Sequence, residues 1–333
     1  MKKRLRLNYT GPAIVFAWLV CVFTVSLGFA GETVYVTNYS SDFISLIDAE
    51  TNRKLAEIRT GNKPHGVAVS PDGRTVYVSN EGDNNVSVID SAARRVITTI
   101  AVGKTPNQLC VSKDGRAVYV TNNGDDTISM IDTASRTVKT IEVGRKPHIL
   151  LSSPDGSQIF VTLEGDNKIV VIDHAKQELS GEIPVYGFPR VMAISPDGRG
   201  LYLTLRWLNG SLKIDTEARK VVSGFDLGMP AFPAEGKAAH GLALSRDGKY
   251  LYLTSQILNS VTVLETATMK VVRDIAVGKD PNWIEITADG RSAFVSNTAS
   301  NSVSVIDLRS NKVIGTVPVG KSPKRLAIGN IIE

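Results

Sequence analysis

Four histidines occur in the 333 residues, and three of them share one setting: His65, His148 and His240 each lie near the start of a short apolar run, two of them directly after a proline. Equivalent positions elsewhere in the chain hold Asn107, Arg190, Asn282 and Lys324, so a recurrent slot is polar in all seven of its occurrences. A slot that only filled space between packed elements would be apolar, so this one is read as a wet ligand-binding site. Neutral imidazole is a frequent metal ligand, so His65, His148 and His240 are also a candidate metal set. The competing reading is that the imidazoles bond backbone or water. The mixed His, Arg, Lys and Asn set suits an anion or a small polar molecule. Arg206 and Trp207 stand where other copies mostly carry Gly, Asp and Asn, and are added as candidate ligand or partner contacts. Glu285 occupies a slot that holds Ala68, Ala193, Ala243 and Ala327 in other copies and Cys110 in one more. A carboxylate there is an acid with a raised pKa or is held by a nearby partner, and Cys110 reads as a small core filler.

The elements that position these residues form a repeat. Aromatic-led segments begin at Tyr35, Tyr77, Tyr119, Phe160, Tyr202, Tyr252 and Phe294. Each copy reads as four short β-branched, alternating strands, with Asp-Gly turns such as Asp72-Gly73 and Asp155-Gly156 supplying the glycine of a tight hairpin. Four strands in a period of about 42 residues describe a propeller blade. The chain is therefore expected to be all-β, a seven-bladed β-propeller. It starts on a second strand and ends on a first strand, so the two termini are expected to complete one blade and close the ring. The one long spacing places extra residues within 228–238, including Met229, Pro230, Phe232, Pro233 and Glu235.

Tyr35-Val36-Thr37-Asn38 and Tyr119-Val120-Thr121-Asn122 spell YVTN, with close variants at Tyr77–Asn80 and Phe294–Asn297, and Ile-Asp and Val-Gly steps recur around them. The chain resembles the YVTN family of β-propellers over residues 32–329. Copies four to six depart from the motif, with Leu163, Leu205 and Ser255 in the asparagine slot. The resemblance implies a propeller domain from 31 to 333 and spans non-catalytic binding proteins, periplasmic quinoprotein dehydrogenase components, lactonases, lyases and DNA binders. The polar slot is visible while no catalytic group is, so the preferred function is a non-catalytic binding or scaffold module for a small polar ligand or a periplasmic or extracellular protein. A periplasmic enzyme or quinoprotein-associated subunit, lactonase-, lyase- or dehydrogenase-component-like, is the alternative. Nucleic-acid binding ranks third.

Composition narrows these classes. A 42% hydrophobic and 21% charged chain is globular. Lys2, Lys3, Arg4 and Arg6 precede an uncharged stretch from Gly11 to Leu27 and the small residues of Gly28-Phe29-Ala30, the pattern of a secretory signal peptide over 1–30. Its loss removes four positive and no negative charges, taking the net charge from +5 to +1, which argues against a general attraction for nucleic acid. One cysteine, Cys110, then remains, so no intramolecular disulfide forms. No Gly-rich phosphate loop, C-x-x-C, H-E-x-x-H or G-x-S-x-G occurs. No cofactor is required for folding, and a metal at the channel mouth is the one candidate cofactor. The expected location is periplasmic or secreted, with membrane contact only through an uncleaved signal. Mass spectrometry of protein purified from its own cells is expected to find a chain beginning at Gly31. An intact N-terminus in the membrane fraction would instead make the segment an anchor.

Overall fold

A computed structural model describes residues 31–228 and 238–330. The signal-peptide reading of 1–30 and the inserted residues Met229, Pro230, Phe232, Pro233 and Glu235 lie outside the described residues. The chain forms seven four-stranded antiparallel sheets, each with its strands in sequence order except one. That one, blade 1, sets the C-terminal strand Pro323–Asn330 beside the N-terminal strand Glu32–Asn38. Blades 2 to 7 then follow as residues 64–101, 106–142, 147–184, 189–226, 239–276 and 281–318. The seven blades and the closure by the two terminal strands are as the repeat predicts. No α-helix occurs among the described residues, and no helix there is long and apolar enough to cross a membrane.

Alternation explains the local structure. In Thr75–Asn80 and its equivalents both faces are buried, one against each neighbouring blade, so the second and third strands are almost wholly buried while the outermost strands are mostly exposed. The core consequently lies between blades. Tyr35 and Tyr119 are completely buried there, and every Asp-Gly turn places its glycine at positive φ, 71° at Gly73.

The third letter of the motif carries a repeated bond. Each first strand bulges just after its initial residue, so two residues leave the ladder, or in blade 7 Asn282 alone. The hydroxyl of Thr37, Ser79, Thr121, Thr162, Thr204, Thr254 or Ser296 fills that gap twice. It accepts the N–H of the second bulged residue of its own blade, as from Ile149 to Thr162 at 3.0 Å. It also donates to the carbonyl of the first bulged residue in the next blade, as from Thr162 to Arg190 at 3.0 Å. All seven inter-blade bonds are present, from Ser79 to Asn107 at 2.5 Å to Thr254 to Asn282 at 3.5 Å.

The fourth letter braces the loop leading in from the preceding blade. Asn80 donates to Ser87 and accepts the N–H of Gly61, and a Cβ at Gly61, Gly103 or Gly278 would fall about 2.5 Å to 2.8 Å from side-chain atoms of the facing asparagine. The glycine of the Val-Gly step is therefore demanded by the asparagine of the motif.

Thr162→Val keeps the shape and removes the hydroxyl, leaving the Ile149 N–H and the Arg190 carbonyl buried without it. The variant is expected to lose roughly 2–4 kcal/mol in urea denaturation while Thr162→Ser stays near the parent. Equal stability of the valine and serine variants would remove the bond from the account.

Candidate active site

Because the first bulged residue of every blade points into the axis, the seven recurrent polar residues meet. His65, Asn107, His148, Arg190, His240, Asn282 and Lys324 all line one cavity of about 310 Å³ at the channel mouth. They are mostly buried rather than displayed on an open rim: His65, His148 and His240 are 6%, 8% and 5% exposed. Their backbone carbonyls take the inter-blade bonds, and the rings of His148 and His240 pack against each other.

Five further residues complete the wall: Tyr39, Glu81, Gln256, Asp280 and Arg325. Sequence reasoning missed them, although two signals were present. Glu81, Glu164 and Gln256 each fall 16 residues after a histidine of the ring, directly after the second strand. Arg325 stands in the slot otherwise filled by Gly66, Gln108, Ile149, Val191, Gly241 and Trp283. Arg206 and Trp207 do not join the cavity wall. The Arg206 guanidinium lies 5.6 Å from the Trp207 ring, which is half-exposed outside the mouth.

The charges are layered. Arg325 forms the floor: it is 1% exposed, stacks 4.3 Å over Trp283 and donates from Nη1 to Asn282 Oδ1 at 3.0 Å, while its Nε is buried without a partner. Burial and the nearby Arg190 lower its pKa to about 9. Lys324 is also lowered, by burial and then by the Arg325 charge, and lies 5.3 Å over the Tyr39 ring. Acidic groups stand one step outward. Tyr39 donates to Glu81 at 2.7 Å, and Arg190 donates from Nε to Glu164 at 3.0 Å.

The three imidazoles are neutral. Burial first, and then the positive charge of Arg325, holds each well below the ordinary histidine range, with Arg190 or Lys324 adding to it. His240 has a defined tautomer: its Nδ1 lies 2.9 Å from the Asn282 carbonyl, which only an N–H can satisfy, so Nε2 carries the free lone pair. The rings of His148 and His240 meet edge to face at 6.4 Å. His65 and His148 place Nδ1 3.9 Å from Glu81 and Glu164. Among the described residues no group of three or more His, Cys, Asp or Glu side chains is gathered as metal ligands. The fourth histidine, His174, lies apart and clasps blades 3 and 4, bonded to Tyr119 at 2.8 Å and near Asp114 at 3.4 Å.

Below Trp283 the channel continues as a second cavity of about 460 Å³, in which Cys110, Ala243 and other apolar residues of the inner strands are joined by Gln108, Lys113, Arg246 and Glu285. Glu285 faces the aromatic of its blade's motif, Phe294, as the alanines of its slot do in theirs. Its partner is the Trp283 indole, which donates to Oε1 at 2.9 Å. Burial nevertheless raises its pKa to about 7, and burial pushes the Cys110 thiol up to about 12.

With the fold and this constellation described, comparison with known proteins identifies the class. A family described as lactonase, 7-bladed beta-propeller, matches residues 139–316, and one described as YNCE-like beta-propeller matches 49–156. The chain belongs to the lactonase family of seven-bladed β-propellers. No curated protein matches it. Among solved structures it is similar to the periplasmic gluconolactonase of Pseudomonas aeruginosa, at 22% identity and TM-score 0.75 over 91% of this chain and 99% of that one. A chain of Kuenenia stuttgartiensis hydrazine synthase gives 23% and 0.72 over 88% and 99%. A functionally unknown protein of Desulfotomaculum acetoxidans DSM 771 gives 15% and 0.76 over 90% and 99%. At these identities the structures support the fold.

The family match corrects the preference for a non-catalytic binding or scaffold module in favour of the enzyme alternative. That preference rested on the lack of a local catalytic motif. A propeller gathers its site from single residues on separate blades, so no such motif is to be expected.

The pH dependence of Glu285 can be isolated with Glu285→Gln, which keeps the acceptor for Trp283. A folded pKa near 7 above an unfolded value near 4.5 means that the folded state holds an extra proton between those limits. The parent therefore loses stability relative to the variant as pH rises from about 4.5 to 7, and the gap is constant above. Denaturation curves are expected to show the variant more stable by roughly 1–3 kcal/mol at pH 8 and equal to the parent near pH 4.5. A gap independent of pH would remove the protonated carboxyl.

Proposed function

We propose that the protein is an exported YVTN-type lactone hydrolase of the periplasm, working at the histidine-lined mouth. Family membership and the general-base geometry of His240 support this reading, and the single observation that carries it is the Nδ1–H bond to the Asn282 carbonyl beside the buried Arg325. Lactone opening needs a base for water, a cation for the oxyanion and a proton for the leaving alkoxide. His240 Nε2 takes a proton from water as the water oxygen bonds to the lactone carbonyl carbon. The negative charge that develops on the carbonyl oxygen faces the guanidinium of Arg325 and the ammonium of Lys324. Collapse breaks the ring C–O bond, and the departing alkoxide recovers the proton from His240, giving a hydroxy acid.

The base is ready because burial, and then the same cations that bind the oxyanion, keep the imidazole deprotonated. Asn107, Gln256, Asp280 and Glu81 line the cavity with groups that hold a small polar ring. Periplasmic location is supported by the sequence of the first 30 residues and by the periplasmic gluconolactonase among the similar structures.

The test is pH-stat hydrolysis of δ-valerolactone and glucono-δ-lactone. His240→Ala is expected to lower kcat by about 10²–10⁴-fold. Since the imidazole pKa is depressed, the acid limb of kcat/KM should lie below pH 6.5, and Lys324→Met should move it upward. Full activity of the alanine variant, an acid limb at or above pH 6.5, or no turnover of any lactone would overturn the assignment.

A further inference from the structure

Blade 5 breaks the polarity of the mouth rim. The loop leading into each first strand carries a cation in the described copies for blades 1, 2, 3, 4 and 7: Lys321, Lys63, Lys104, Arg145 with Lys146, and Lys279. In blade 5 the same loop is Tyr186-Gly187-Phe188. The loop after its second strand changes with it. Gly82-Asp83, Gly124-Asp125 and Gly165-Asp166 of blades 2 to 4 become Trp207-Leu208, and blade 6 carries Ile257-Leu258. The two loops of blade 5 lie together, the Arg206 N–H donating to the Phe188 carbonyl at 3.1 Å.

These apolar groups face water. Tyr186 is 86% exposed, and Phe188, Trp207 and Leu258 are 40%, 44% and 51% exposed. They also adjoin the site. Phe188 takes the slot before the strand proline that in blade 7 holds Asp280, a residue of the cavity wall, and Phe188 and Asp280 share a left-handed backbone, with φ of 60° and 57°. Two residues further on is Arg190, in the wall itself. An apolar sector thus begins at the cavity edge and covers the outer loops of blade 5 and the loop after the second strand of blade 6, while the other described rim loops are charged or polar.

We propose that the substrate is an amphiphile, a lactone ring bearing an alkyl or aryl substituent that leaves the polar cavity over Phe188, Tyr186 and Trp207. This rests on the lactone-hydrolase reading and adds the substituent to it. Continuity decides for a substrate tail over a separate protein partner: the sector is joined to the cavity at Phe188, and the tail of a molecule seated in the cavity is placed against it at no further cost in association.

The probes share a ring and differ by a pentyl chain: δ-decanolactone and δ-valerolactone for turnover, and their products 5-hydroxydecanoate and 5-hydroxypentanoate for binding by calorimetry. The parent should favour the longer member by about 10- to 100-fold in kcat/KM and in Kd. Tyr186→Ser combined with Trp207→Gly should bring the two within about threefold while values for the shorter member hold. Leu258→Ser, on a separate blade, gives a smaller loss of preference and serves if the double variant does not fold. A chain-length preference in binding without turnover of either lactone would refute the hydrolase reading and support the apolar sector. Turnover of both lactones at equal kcat/KM, with binding blind to chain length, would overturn the amphiphile and leave the hydrolase.

Discussion

Each blade is tied to the next by one hydroxyl, and the position of every group at the mouth follows from that bond. A β-ladder cannot continue through the bulge at the start of a first strand, so two backbone groups per blade would be buried unsatisfied. The threonine or serine of the motif satisfies both, one in its own blade and one in the neighbour. Since the accepting carbonyl belongs to the ring residue, the bond that spaces the blades also fixes the backbone from which His65, His148, Arg190 or Lys324 projects. The longest of the seven, from Thr254 to Asn282 at 3.5 Å, is at the carbonyl that also receives His240 Nδ1–H at 2.9 Å. At that blade part of the structural bonding capacity has passed to the side chain that sets the imidazole tautomer.

Rigidity at the ring is what permits an arginine on its floor. A buried guanidinium is costly unless its surroundings are fixed and polar. Arg325 has an indole face beneath it, one amide oxygen at its edge and neutral imidazoles around the same cavity. Were the histidines charged, three more cations would share about 310 Å³ with Arg325, Lys324 and Arg190. The depressed imidazole pKa and the buried cations are therefore two views of one electrostatic compromise. Trp283 links it to the lower channel, because the indole that supports Arg325 is itself held by Glu285.

The fold was legible because its signal is repeated: a strand that would be ambiguous once is decisive when its aromatic recurs seven times and its Asp-Gly turn six. The ring was legible for the same reason, as a polar slot in a periodic apolar context. Arg325 was not, because its slot varies from blade to blade, so an arginine there breaks no pattern, and its partners Trp283 and Asn282 lie about 40 residues away in sequence. Glu81 and Glu164 read as ordinary loop residues until the ring gave them something to face. Glu285 was noticed as an odd carboxylate, but its indole partner two residues earlier required knowing that a bulge turns Trp283 into the channel. The proposed catalytic set was the least legible, since His240 stands far along the chain from the adjacent Lys324 and Arg325 and no local motif joins them.

The asymmetry of blade 5 has a structural origin in the motif. Where the second strand ends in asparagine, the facing residue after the valine step must be glycine, because a Cβ there strikes the asparagine side chain. Blade 5 has Leu205 in place of the asparagine, and the facing slot holds Tyr186 instead of glycine. Losing the brace thus releases a steric restriction on the rim at the same point, and a large side chain stands where the asparagine-bearing blades admit none. Phe188 keeps the left-handed backbone used by Lys63, Lys146 and Asp280, so the loop retains its path while its chemistry changes from polar to apolar. Blade 4 makes the same exchange, Leu163 for asparagine, but keeps Gly144 in the facing slot, where a Cβ would fall 2.9 Å from the leucine side chain, so losing the asparagine permits the large residue at Tyr186 without requiring it.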